Sequence, residues 1–288
     1  MNQQNQQFYK PASANAGSLR RALHLLDCLA SSPEALGLTE LAQASSLDKA
    51  TTHRLLSVLK ECGFVKRDVE SRRYCLGLRL AQLGARALEA LEVRQVARPH
   101  MTSLMRATCQ TVHLGILEES QVVYVEKIEG LEPVSLKSRV GGTPPIHATS
   151  IGKCLLAFLP LNELERLLPR LTLTPFTANT ISDHEAFRRH LEGIRQRGYA
   201  VDNEEHREGL RCVGAPVFDL RGDLVAAVSI VGPAFRIPHA EIPQLACRVI
   251  ECAQAISKDL GYSGRESPGF KSVPDATHTR STDEGRTS

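Results

Sequence analysis

Between Thr39 and Tyr74 the chain reads TELAQASSLDKATTHRLLSVLKECGFVKRDVESRRY. A short helix, a tight turn, a second helix and a basic hairpin in that order leave few folds open. Thr39 is a fitting N-cap for a helix over Glu40 to Ala44. Ser45-Ser46-Leu47 breaks that helix, and Asp48 can cap the next. In the second helix Thr52, Leu55, Leu56 and Leu59 recur at i, i+3, i+4, i+7, which predicts one buried face. Lys49, Ala50, His53, Arg54 and Ser57 then lie on the opposite face, with Thr51 near its edge. Small polar and basic residues on the first exposed turns suit the major groove of duplex DNA. Gly63 ends the helix. Phe64-Val65 opens a strand, and Lys66, Arg67, Arg72 and Arg73 flank the turn Asp68 to Ser71, a wing that can lie on phosphates.

Upstream, Ser18 is the expected N-cap of a helix with the apolar stripe Leu19, Ala22, Leu23, Leu26, Leu29 and Ala30. Residues 17–78 are expected to form one winged helix-turn-helix domain. The competing reading is a structural three-helix domain whose Lys and Arg residues only face solvent. The turn spacing, the Lys-x-x-x-His-Arg pattern and the basic hairpin together favour DNA.

With 288 residues the chain has room for two domains. A net charge of +3 supplies no molecule-wide attraction to nucleic acid, so any DNA binding must come from local patches. No apolar run approaches the roughly 18 residues of a membrane span, so no membrane partner is expected. Residues 1–16 are polar, lack the apolar segment of an export signal and read as a disordered lead-in, and residues 263–288 read as a disordered tail. The eight cysteines form no C-x-x-C and mostly sit in apolar patterns. Reduced thiols in a cytoplasm are therefore expected, with no metal site and no cofactor. Cys247 and Cys252 stand five apart on an expected helix and share no face well enough to chelate.

Residues 79–92 read as a linker helix with the stripe Leu80, Leu83, Ala87 and Leu91, a face for a partner subunit or for the chain's own second domain. Pro99 is expected to divide it from a domain helix. From Thr111 the period becomes two, with Val112, Leu114 and Ile116 and then Val123, Val125 and Ile128 forming a hairpin. A strand at 134–138, helices from Lys153 and Asn162, and a helix opened by the box Ser182-x-x-Glu185 and stopped by Gly198 follow. A strand at Tyr199 to Asp202, a second hairpin (Cys212 to Phe218, Leu224 to Val231) and a last helix complete an α+β domain over 93–262, with an antiparallel sheet.

These segments resemble the isocitrate lyase regulator (IclR) family of bacterial transcription factors over about residues 17–262. The resemblance is carried by DKATTHRLLSVLKECGFV, HATSIGKCLLAFL and YAVDNEEHREGLRCVGAPVFDLRGDLVAAVSIVGP. It implies a winged helix-turn-helix, a linker helix and a GAF-like effector domain. It also implies a homodimer or tetramer whose grip on a double-stranded operator responds to a small organic acid. By the same resemblance the effector pocket is built from Ser150, Ile151, Asp202, Leu210, Cys212 and Ser229. Their chemistry is apt: a helix opening at Ser150 offers free N–H groups to a carboxylate, Asp202 accepts, Cys212 and Ser229 donate, and Leu210 walls the site. Family members that take small keto or hydroxy acids often carry a serine where this chain has Val231. A glyoxylate-sized ligand is thereby disfavoured and a larger or partly aromatic acid favoured.

Two functions of other classes compete. Asp202, His206 and Cys212 are the residue types of a cysteine hydrolase, which needs a thiol beside a base and an orienting acid. Alternatively the chain is a ligand-binding module without DNA binding. Neither explains the basic helix and wing, so a non-enzymatic, ligand-responsive regulator is the expectation.

Overall fold

The computed structural model describes residues 17–89, 92–131 and 138–263, with the backbone alone at 87–89. The chain divides into two compact units between Ala90 and Leu91.

The first unit holds α1 (Gly17–Ser31), α2 (Leu38–Ala44), α3 (Lys49–Glu61), β1 (Val65–Arg67), β2 (Tyr74–Leu76) and α4 (Leu78–Glu89). The amphipathic pattern of α3 fixes its packing: Thr52, Leu55, Leu56 and Leu59 are all buried. Leu55, Leu56 and Leu59 meet Leu25, Leu26 and Leu29 of α1, Leu41 of α2, and Val65 and Tyr74 of the hairpin in one core. Asp48 caps α3 as expected, its carboxylate accepting the Thr51 N–H at 2.8 Å. Gly63, at φ +78°, turns the chain out of the helix. The wing turn closes on Asp68, which accepts from both the N–H and the hydroxyl of Ser71 at 2.8 Å.

Three local expectations fail here. Ser18 does not cap α1, because the helix already includes Gly17. The buried stripe is centred on Leu25, while Leu19 and Ala30 are exposed; α2 and α3 cover only the central turns of the helix. Thr39 does not cap α2, which begins at Leu38 with Gly37 as its N-cap. Glu40 reaches back to accept the Gly37 N–H at 2.7 Å, and this satisfies the helix end without a side chain at the cap.

The second unit contains α5 (Glu92–Thr108), β3 (Thr111–Glu118), β4 (Gln121–Ile128), α6 (Ser150–Phe158), α7 (Leu161–Leu167), α8 (His184–Arg197), β5 (Ala200–Asn203), β6 (Leu210–Phe218), β7 (Leu224–Pro233) and α9 (Ile242–Asp259). Among the described residues five strands form one antiparallel sheet in the order β4-β3-β7-β6-β5. Helices α5 and α9 pack together and on the sheet; α6 lies on β3, β5, β6 and β7 with α8 behind it. The core around α6 gathers Ile151, Cys154, Leu155, Phe187, Leu191 and Ile194.

Pro99 does not divide two helices, since α5 runs through it. Burial of Ala97, Met101 and Leu104 on either side outweighs one lost helical hydrogen bond. Asp183, not Ser182, caps α8 by accepting from the Ala186 N–H at 2.8 Å. Residues 134–137 of the expected strand lie outside the described residues, as do the terminal segments and the side chains of Ala87 and Leu91. All eight cysteines are free thiols, and Cys62, Cys75 and Cys109 are exposed rather than set in the core. No helix among the described residues is long and apolar enough to cross a membrane.

Candidate functional site

Two sets of candidate residues stand in the structure, one in each unit. In the first, Lys49, Ala50, His53 and Arg54 stand exposed on the first two turns of α3, and Thr51 and Ser57 are half-buried. The Ser57 hydroxyl donates to the His53 carbonyl at 3.0 Å, so it is turned back onto its own helix.

The four wing cations differ. Lys66 and Arg72 are exposed. Arg67 lies over the Tyr74 ring at 5.3 Å, and its Nε donates to the Arg72 carbonyl at 3.2 Å. Arg73 is engaged within its own unit. Its Nε donates to the Ala35 carbonyl and its Nη2 to Glu40, both at 2.7 Å.

In the second unit the six effector candidates come from α6, β5, β6 and β7. Directly paired residues of an antiparallel sheet share a face. The register pairs Asp202 with Cys212, Cys212 with Val231, Gly214 with Ser229, and Ser229 with His113. Leu210 stands one step along the same face of β6. Helix α6 starts over this face because two glycines admit it. A Cβ at Gly115 would lie 2.7 Å from Ile151 Cγ2, and one at Gly214 would lie 3.3 Å from the Ser150 side chain. Ser150, Ile151, Asp202 and Ser229 are buried, and Leu210 and Cys212 are half-buried.

At the opening of α6 the Thr149 hydroxyl takes the Gly152 N–H. The N–H groups of Ser150 and Ile151 have no intrahelical acceptor, and these are the groups that can meet an anion. Lys153, one turn in, is fully buried and is already engaged: Nζ donates to the Val201 carbonyl at 2.6 Å and forms an ion pair with Glu205. Glu205 Oε2 is buried without a hydrogen-bond partner among the described residues.

Asp202 Oδ1 accepts the Glu205 N–H at 2.8 Å, and the Cys212 thiol donates to Oδ2 at 3.4 Å. Burial pushes the Asp202 carboxyl up to about 6, against the pull of Lys153 and the Glu205 N–H. Burial also drives the Tyr124 hydroxyl up, with Cys212 and Asp202 adding to the shift, so Tyr124 lies within electrostatic reach of both. His113 stacks on Tyr124 with ring centroids 4.6 Å apart. Its Nε2 meets the Ser138 hydroxyl at 2.8 Å, and burial lowers its pKa to about 3, so the ring is neutral.

Sequence reasoning passed over Lys153, Glu205, His113 and Tyr124 as parts of this site. The signal for His113 was the one ionisable residue inside a run that is buried on both faces, Thr111 to Gly115.

A cysteine nucleophile does not fit this geometry. Burial and the neighbouring Asp202 raise the Cys212 thiol well above its usual pKa, opposite to what a thiolate needs. His206 meets Asp202 through its backbone N–H at 3.4 Å, and its ring sits edge-on to Phe176 at 5.4 Å. Among the described residues its ring makes no hydrogen bond to Cys212. No group of His, Cys, Asp and Glu among them has the arrangement of a metal site.

Residues 18–69 match the sequence profile described as the IclR helix-turn-helix domain, and residues 85–258 that of the bacterial transcriptional regulator IclR C-terminal. The chain is 36% identical over 248 residues to the HTH-type transcriptional regulator KdgR of Escherichia coli, covering 86% of this chain and 94% of KdgR. The crystal structure of the Thermotoga maritima IclR is similar with a TM-score of 0.71 at 37% identity, covering 85% of this chain and 99% of that one. An IclR homologue from Microbacterium hydrocarbonoxydans, solved with 4-hydroxybenzoate, is similar with a TM-score of 0.75 at 28% identity, over 84% and 98%.

Proposed function

The chain belongs to the IclR family of bacterial transcriptional regulators, a DNA-binding regulator with a C-terminal effector-binding domain, and on that premise we propose where it meets each ligand. On the DNA side, Lys49, Thr51, His53 and Arg54 approach base edges and nearby phosphates from the first turns of α3. Lys66 and Arg72 touch phosphates from the wing. The observation that carries this reading is the capped opening of α3, with Lys49, His53 and Arg54 exposed while the opposite face, Thr52, Leu55, Leu56 and Leu59, is buried in the core. Arg67 and Arg73, assigned to the same role by sequence, have partners inside the unit.

On the effector side, the ligand is a small organic acid. Its carboxylate meets the N–H groups of Ser150 and Ile151, and its body lies against Asp202, Leu210, Cys212 and Ser229. Val231 opposite Cys212 and the His113–Tyr124 stack supply apolar and aromatic surface in place of a hydroxyl. The 4-hydroxybenzoate bound by the Microbacterium hydrocarbonoxydans homologue supports an acid of that size over a glyoxylate-sized one.

The protein acts as a dimer, since one winged helix covers one half-site and a two-fold pair reads two. Leu83 of α4, 41% exposed, is apolar surface that a second copy would cover. Light scattering at micromolar concentration tests the dimer, and a monomer there contradicts it. A thermal-shift screen of the purified protein against organic acids tests the effector reading. An acid that binds only the folded state raises the melting point by mass action. If aromatic and larger acids fail while glyoxylate-sized acids succeed, the pocket assignment is wrong.

A further inference from the structure

Arg73 sits in a run of cations, yet its guanidinium faces the start of α2. Nε donates to the Ala35 carbonyl and Nη2 to Glu40 Oε2. That same oxygen accepts the N–H of Gly37, the cap of α2. One residue on, Tyr74 pairs with Leu36 in both directions: Leu36 N–H to Tyr74 O at 2.9 Å and Tyr74 N–H to Leu36 O at 2.8 Å. The root of the wing is thus joined to Ala35, Leu36 and Glu40 by four hydrogen bonds in a short stretch. A planar guanidinium can hold a carbonyl and a carboxylate at once; an ammonium lacks that fixed fork. Arg72, the residue before it, is exposed and adopts φ +54°.

We propose that Arg73 and Glu40 form a clamp that fixes the wing to the first turn of α2, and that Arg73 is a positioning residue for DNA binding, not a phosphate contact. The proposal rests on the wing's meeting phosphates through Lys66 and Arg72. Its consequence has a sign. Were Arg73 a phosphate contact, Glu40 would be a repulsive charge beside the DNA, and removing it would tighten binding. In a clamp Glu40 holds the wing, and removing its charge weakens binding. A glutamine at position 40 still offers an amide oxygen to the Gly37 N–H, so the cap of α2 survives the change.

The test measures the full-length protein against a fluorescent random-sequence duplex over a series of salt concentrations. Variants are Glu40→Gln, Arg73→Gln, Arg73→Lys, the Glu40→Gln/Arg73→Gln double and Arg72→Gln. Glu40→Gln and Arg73→Gln should each weaken binding about three- to tenfold at every salt concentration, with the log–log slope unchanged. The double variant should be no weaker than the worse single, because both changes break one contact. Arg73→Lys should recover part of the loss. Arg72→Gln should lower the slope by about 0.9, the mark of one lost phosphate contact. Tighter binding by Glu40→Gln overturns the clamp, as does a fall in slope with Arg73→Gln or additive losses in the double. An unchanged slope in Arg72→Gln instead removes the phosphate role of the wing, and the sign and additivity at Glu40 still decide the clamp. If Arg73→Gln fails to fold, Arg73→Lys and Glu40→Gln carry the same decision.

Discussion

In the first unit Lys49, His53 and Arg54 stand in solvent within two turns of one helix, and their neighbours Thr52, Leu55 and Leu56 hold that helix in the core. In the second unit Ser150, Asp202, Cys212 and Ser229 come from four different elements; the sheet register brings the last three to one face, and Gly115 and Gly214 let the start of α6 approach it. Physical demand explains the contrast. A long polyanion is met by exposed cations on a rigid edge, and most of the attraction survives in water. A small acid must be held by few contacts, so its groups are desolvated and oriented in advance. The exposed site can therefore change without altering stability, whereas the buried site shares its groups with the fold.

Lys153→Ala should break that contrast most strongly if it is wrong. The change leaves Glu205 buried without its cation, and such a loss is worth about 3–5 kcal/mol. Denaturant unfolding should show that loss, with Arg54→Ala showing almost none. Equal losses for the two variants would mean that the units are not built on different principles.

Next in size is the pH dependence set by Asp202. Its folded pKa is about 6, against about 3.8 unfolded, so the folded unit holds a proton that the unfolded chain has released. Below about 3.8 both states are protonated and nothing is lost. Stability falls as pH rises from there to about 6 and is flat above, by up to about 3 kcal/mol. Glu205, Lys153, Cys212 and Tyr124, which act on the group, are present in both proteins compared, so their contributions cancel to first order. Asp202→Asn should remove the slope when its pH–stability curve is subtracted from that of the wild type. A difference curve that rises with pH, or is level, would show Asp202 ionised in the fold.

Arg54→Ala should lower specific operator affinity by about 1–3 kcal/mol if the guanidinium makes a bidentate base contact. Competition against random duplex measures it, and an unchanged preference in a folded variant removes the base-reading role. Ser229→Ala should weaken the effector by about 0.5–3 kcal/mol, the range for one lost hydrogen bond, as read by calorimetry with an acid found by thermal shift. If Ser229→Ala unfolds the protein instead, the hydroxyl belongs to the core.

How much of this was legible depended on distance along the chain. The buried face of α3, its Asp48 cap, the Gly63 stop and the wing turn follow from residues at most a few positions apart, and all are present. Helix starts were harder, because near neighbours such as Gly37 and Thr39, or Ser182 and Asp183, compete for one cap, and a side chain in the first turn, such as Glu40, can decide between them. Pro99 was misread because its cost is local whereas the burial that overrides it is tertiary. The hairpins were visible from their period, but the order that sets β3 beside β7 was not. For that reason Asp202, Cys212 and Ser229 came to attention by resemblance rather than by spacing. The Lys153–Glu205 pair, which joins α6 to the loop after β5, left no local mark.

One crossed pair of titrations tests the separation of the two sites most directly. Operator affinity without ligand and acid affinity without DNA are measured for wild type, Arg54→Ala and Ser229→Ala. The expected result is that Arg54→Ala loses operator affinity alone and Ser229→Ala loses acid affinity alone. A loss of ligand-free operator affinity in Ser229→Ala, or of acid affinity in Arg54→Ala, would contradict it.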